Sequence, residues 1–171
     1  MAFILTEEQT LLRETAQKFF NEQVPVADFR NLRDSEDAKG YNPALWQQMA
    51  ELGFAGILVD GEYGGIGCGA QEMGIVCQEA GRTLAATPLF STAVLGAGLI
   101  GAAGSPAQKQ SLLPKIASGE TLTALALEET AHHAPAQVAL DAKKSGAGYT
   151  LSGEKRFVMD GHIADKIIVA A

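Results

Sequence analysis

Gly96-Ala97-Gly98-Leu99-Ile100-Gly101 spells the GxGxxG pattern letter for letter, and reading it as loop or as helix decides the fold class. In the loop reading, a strand delivers a tight turn whose backbone faces a pyrophosphate at a helix N-terminus, as in a doubly wound parallel sheet. That reading needs a strand immediately before Gly96. The preceding residues, Pro88 to Leu95, instead carry helix grammar: Thr87 and Pro88 supply a start, and Gly104 supplies the stop of a largely apolar helix. The glycines then act as small residues that let a neighbouring element approach closely, and the parallel-sheet fold drops out.

Working towards the N-terminus, more helices appear. Ala70 to about Ala80 predicts one that ends at Gly81. Val59-Asp60-Gly61-Glu62-Tyr63-Gly64-Gly65-Ile66-Gly67 holds too many glycines for a regular element and predicts a loop. Asn42 and Pro43 form an N-cap and first-turn pair for a helix that would bury Leu45, Trp46, Met49 and Leu52 and stop at Gly53. A charged stretch, Asp34 to Lys39, precedes it. Thr6-Glu7-Glu8-Gln9 is a capping box. Leu12, Ala16, Phe19 and Phe20 then follow on one helical face, leaving Arg13, Glu14 and Lys18 to solvent until Pro25 ends or kinks the helix.

Towards the C-terminus, Ser105, Pro106 and Gln108 repeat the capping-box pattern for a helix that buries Leu112, Leu113 and Ile116 and ends near Gly119. The periodicity then changes. Thr121 to Leu127, Tyr149 with Leu151, Phe157 with Val158, and Ile167 to Ala170 give strand signals, the last two separated by the turn residues Asp160 and Gly161. The predicted class is α+β: an all-α helical bundle over residues 1–118, then the incomplete antiparallel β domain of residues 119–171. Three or four strands alone would leave open sheet edges, which predicts further polypeptide downstream.

The chain has 171 residues, 47% hydrophobic and 19% charged, which suits a globular core. A formal net charge of -7 argues against nucleic-acid binding, which needs a field of Lys and Arg. No charge falls between Arg82 and Lys109, but Gly, Ala, Ser and Thr dilute its large apolar residues, so a buried core helix is read there rather than a membrane span. Met1 to Leu12 lacks a basic leader and apolar block, so it reads as mature sequence. Cys68 and Cys77 have neither CxxC spacing nor a nearby histidine. They predict two buried thiols and an intracellular, cytoplasmic setting. His132 and His133, beside Glu128 and Glu129, would point opposite ways on an extended chain and are read as solvated loop residues rather than metal ligands.

The order of several segments resembles the acyl-CoA dehydrogenase family. Leu5-Thr6-Glu7-Glu8-Gln9 with Leu12 and Arg13 is similar to that family's first helix, and Leu45-Trp46 through Glu51-Leu52-Gly53, followed by Gly56, to its second. Glu62-Tyr63-Gly64-Gly65-Ile66-Gly67 resembles its best-known loop, and Gln78-Glu79-Ala80-Gly81-Arg82 the end of its third helix. Gly153-Glu154-Lys155-Arg156-Phe157-Val158-Met159-Asp160-Gly161 with Ala164 and Asp165 resembles its β hairpin.

The resemblance implies a subunit of three parts: a helical domain, a β domain, and a C-terminal helical domain that builds a tetramer. FAD would lie between the second and third. It also implies α,β-desaturation of an acyl-CoA thioester in fatty-acid breakdown, with a carboxylate base taking the α proton and the flavin accepting the β hydride. Electrons would pass to an electron-transfer flavoprotein. No residue of this chain matches the base, so no catalytic residue is assigned. The cofactor-facing positions implied are Leu125, Leu127 and Glu128 in the first β segment, and Phe157, Val158 and Met159 in the second. Where the family carries Thr-Glu-Pro and then Gly-Ser-Asp, this chain reads Glu128-Glu129-Thr130-Ala131-His132-His133. Where the family carries Trp-Ile-Thr, it reads Phe157-Val158-Met159. A carboxylate near flavin or phosphate is repulsive unless protonated or turned away. Two functions therefore stand side by side: a segment of an acyl-CoA dehydrogenase, and a non-catalytic partner subunit of a heteromeric one that does not hold its own flavin. Either would be a homo- or hetero-oligomer.

Overall fold

Thr6 and Gln9 cap the first helix reciprocally in the computed structural model, which describes residues 4–171. Gln9 N–H donates to Thr6 Oγ1 at 3.2 Å and Thr6 N–H to Gln9 Oε1 at 3.0 Å. The reading of Met1 to Leu12 as mature sequence rests partly on Met1, Ala2 and Phe3, which lie outside the described residues. Helix α1 (Glu7–Gln23) buries Ala16, Phe19 and Phe20, as its periodicity predicts. Pro25 ends it and, with φ fixed near the helical value, opens α2 (Val26–Asp34). That helix is not foreseen in the sequence. None of its residues is fully buried, so its apolar pattern is weak.

Asn42 caps α3 (Pro43–Glu51) through Oδ1, which accepts from Ala44 N–H at 3.0 Å. Leu45, Trp46 and Met49 are buried as expected, but Leu52, at the C-cap, is largely exposed. The glycine-rich stretch is a loop that includes a 3₁₀ turn, Gly61–Tyr63. It is stitched back onto residues 56–59 by Ile66, Gly67 and Cys68 N–H groups. A Cβ at Gly65 would fall 2.0 Å from the Val59 carbonyl oxygen, so only glycine closes this loop.

Helix α4 (Ala70–Arg82) follows, and the predicted fourth helix is two: a π-helical segment, Leu89–Gly96, running into α5 (Ala97–Ala103). The GxGxxG stretch is therefore helical. Its close-packing role holds at one glycine only: a Cβ on Gly96 would lie 1.8 Å from Thr123 Oγ1, whereas nothing lies within 4 Å at Gly98 or Gly101. Helix α6 (Pro106–Ala117), capped by Ser105 and Gln108, buries Leu113 and Ile116. Among the described residues no helix is long and apolar enough to cross a membrane.

Two ladders follow. Strand β1 (Thr123–Ala126) pairs with β4 (Lys166–Val169), and β2 (Asp141–Ser145) pairs with β3 (Gly148–Ser152). The α+β class holds, but the pairing is mixed: β2 and β3 are antiparallel, β1 and β4 parallel. Alternating polarity signals a strand without signalling its direction. The predicted strand at Phe157 and Val158 does not form, because Phe157 sits at φ +52°, outside any strand geometry.

The larger core joins α1, α3, α4 and the π segment around Phe19, Phe20 and Phe54, whose rings lie 5.2 to 6.1 Å apart. A smaller one gathers Val59, Ala97, Ile100, Leu113 and Ile116, with Ile168 of β4 packed on it. The helices thus share their cores with the parallel ladder. Trp46 Nε1 also reaches the Gly119 carbonyl at 2.9 Å, tying α3 to the end of α6.

Candidate functional site

The two segments that resemble flavin-facing β structure are brought together, although the 28 residues from 129 to 156 separate them. Arg156 N–H donates to the Glu128 carbonyl at 2.8 Å, and Lys155 Nζ donates to the Leu127 carbonyl at 3.1 Å. Lys155 also pairs with Glu129 Oε1 at 2.7 Å, with both side chains largely shielded. The same Glu129 carboxylate accepts Ala139 N–H and Leu140 N–H, each at 2.9 Å. The Lys155 ammonium first, and these two amides next, hold the Glu129 carboxyl down to about 2. Lys155 and Glu129 form the organising contact of the region. In the sequence this pair is marked only by a carboxylate and an ammonium that each adjoin a β segment.

Of the six assigned positions, Leu125, Leu127, Glu128 and Val158 are half-buried, while Phe157 and Met159 are exposed. Val158 lines an open cleft of about 500 Å³ between the two ladders, together with Ala126, Lys155, Leu151 and Val169. Strand alternation sends Leu125 and Leu127 away from the side that Ala126 faces. Phe157, in its left-handed conformation, holds its ring out to solvent. Met159 offers no hydrogen-bond donor.

Glu128 is engaged within its own loop. Its Oε2 accepts Ala134 N–H at 3.0 Å and its Oε1 lies 2.6 Å from His133 Nδ1. The Ala134 amide foremost, then the His133 contact, lower its pKa, so the group is ionised. His133 therefore does not simply point into water: its ring packs on a carboxylate while remaining mostly exposed. Among the described residues no three His, Cys, Asp or Glu side chains gather to hold a metal. Cys68, expected to be buried, is exposed, and Cys77 is half-buried with its thiol pushed up by burial.

The geometry defines a helical bundle leading into β1, with the segment at Lys155 and Arg156 folded back on Leu127 and Glu128. The sequence profile described as "Acyl-CoA dehydrogenase, N-terminal domain" matches residues 6–120, and the chain belongs to the acyl-CoA dehydrogenase family. It is 36% identical over 178 residues to the mitochondrial isovaleryl-CoA dehydrogenase of Pongo abelii, covering 98% of this chain and 40% of that relative. Among solved structures it is similar to the ChsE4-ChsE5 complex from Mycobacterium tuberculosis, with a TM-score of 0.87, 26% identity, and coverage of 100% of this chain and 45% of that one. It is also similar to an acyl-CoA dehydrogenase complexed with FAD from Bacillus anthracis, with a TM-score of 0.84, 27% identity, and coverage of 98% and 29%. The chain thus spans less than half the length of these proteins.

The family implies FAD, and the donors present can be tested against it. A flavin diphosphate needs free N–H or O–H groups and no ionised carboxylate among them. Glu128 is ionised and already holds the Ala134 amide. At this segment the residues do not fit the group.

Proposed function

We propose that this chain is the N-terminal part of a FAD-dependent acyl-CoA dehydrogenase that desaturates an acyl-CoA thioester between its α and β carbons. The observation that supports it is the hydrogen bond from Arg156 N–H to the Glu128 carbonyl, which brings the two segments of the resemblance side by side. The proposed division places the helical part at residues 1–118 and the start of a β domain at residues 119–171. FAD, an acyl-CoA, an electron-transfer flavoprotein and a homo- or hetero-oligomer belong to this reading, and so does a cytoplasmic setting. No residue here matches the carboxylate base, so proton removal falls to another part of the protein.

A specific observation favours a second reading, a non-catalytic partner subunit that completes a neighbour's site. It is the ionised Glu128 at a place where the resemblance puts a hydroxyl. The similarity to a two-component complex supports it. The experiment is purification of the full-length protein alone and with its nearest relatives from the same cell. Near-stoichiometric FAD absorbance and turnover with acyl-CoAs by the protein alone support the first reading and sink the second. Colourless protein that acquires flavin only on co-expression does the reverse.

A further inference from the structure

Segment 128–140 turns several of its own donors inward onto acceptors of the same segment. Five of its backbone N–H groups are spent inside the chain: His132 on Thr130 Oγ1, Ala134 on Glu128, Gln137 on the Ala134 carbonyl, and Ala139 and Leu140 on Glu129. Two of the three acceptor side chains are carboxylates. The Glu128 backbone is itself fixed by Arg156 N–H, and its side chain is only 15% exposed, so the carboxylate does not swing freely in water.

We infer that Glu128 is a built-in anion: its carboxylate takes the Ala134 amide and the His133 ring that a phosphate would otherwise use, and so keeps a diphosphate off this segment. This rests on the family reading, which makes a flavin diphosphate the expected visitor. An incoming anion would have to displace a carboxylate from its donors and then sit beside it, and like charges at contact distance oppose that. Removing the carboxylate leaves the Ala134 N–H and His133 Nδ1 as free neighbouring donors, the arrangement that accepts an oxyanion.

The test uses the full-length protein labelled with ¹⁵N and inorganic pyrophosphate as probe, followed at the Ala134 amide. The wild type is expected to show no saturable shift. Glu128→Ala is expected to show one, with apparent affinity at least about tenfold above any wild-type response. Should Glu128→Ala lose the Ala139 and Leu140 amide signals, Glu128→Gln carries the test. It keeps an acceptor for Ala134 without the charge, and is expected to show a weaker but saturable shift. A saturable wild-type shift overturns the inference, and so does silence in both variants. Neither result touches the family reading, which stands or falls on flavin content and turnover of the full-length protein.

Discussion

Gly96 shows what one absent side chain contributes. The π segment and β1 meet there at a distance that excludes even a methyl group, while Gly98, two residues on, faces open space. Gly96→Ala should therefore lower stability by about 1–3 kcal/mol through overpacking, whereas Gly98→Ala should raise it by about 0.5–1 kcal/mol through helix propensity. Thermal unfolding of the two variants checks this, and equal melting temperatures would contradict it. Glu129 supplies the matching electrostatic case. Its pKa is about 2 in the fold against an ordinary 4.5. A depressed carboxylate adds stability that is present above the ordinary value and is lost as pH falls through the folded one. Protection of the Ala139 and Leu140 amides, taken as exchange relative to the intrinsic rate at each pH, should therefore be high at about pH 5 and fall as pH drops towards about 2. Glu129→Gln should remove that dependence, and a pH profile unchanged by the substitution would show that Glu129 does not hold the loop. The sequence displays both glycines and both residues of the ion pair. It cannot display which glycine meets a strand 27 positions away, because that is a fact of packing.

At the scale of elements, β1 is bonded on both flanks by unlike partners. One is β4. The other is a single side chain, Thr92, whose hydroxyl donates to the Thr123 carbonyl at 3.3 Å and accepts Thr123 N–H at 3.1 Å, doing for one residue what a neighbouring strand would do. Thr92→Val keeps the shape and orphans two buried backbone groups, so it should cost about 1–3 kcal/mol. Thr92→Ser should cost much less, and denaturant unfolding of the pair separates the hydroxyl from the methyl. Caps and periodicity made α1, α3, α4 and α6 legible, because the determinants lie within a few residues: Thr6 with Gln9, Asn42 with Pro43, Ser105 with Gln108. Helix α2 escaped because Pro25 reads equally well as an ending and as a beginning. Strand β2 escaped because Asp141-Ala142-Lys143-Lys144-Ser145 carries no apolar face. The opposite error, a strand at Phe157, arose because aromatic and β-branched residues suit strands while only the backbone records φ +52°.

For the whole molecule, long-range side-chain contacts reach the C-terminal stretch from the helical part at two places and from the residue before β1 at a third. Ser91, fully buried in the π segment, donates to Asp160 at 2.5 Å, Leu122 N–H reaches Asp165 at 2.8 Å, and His162 meets the Lys39 carbonyl at 3.2 Å. All three secure residues 160–165, the stretch leading into β4. The β region around it leaves Tyr149, Leu151, Phe157, Met159 and Ile167 exposed. A surface with that much apolar exposure should bind an anilinonaphthalene dye in the native state. The double change Leu151→Thr and Ile167→Thr should reduce the fluorescence without lowering the melting temperature. A dark native protein would mean these side chains find cover in solution. The α+β class and the family were readable from the order of local motifs, whereas the six cofactor-facing positions rest on the family likeness alone. The parallel direction of β1 and β4 was not, since it is decided by how far the chain travels between them.

That separation sets a timetable. A ribosome releases Thr123–Ala126 with Thr92 already waiting on one flank, but the other flank stays bare until Lys166–Val169 has been made. Throughout that interval the nascent chain carries a half-paired apolar strand, the kind of surface that chaperones bind and that neighbouring chains adhere to. Slowing synthesis between residues 127 and 165 should lower the soluble yield of this protein more than slowing it anywhere among the first hundred residues.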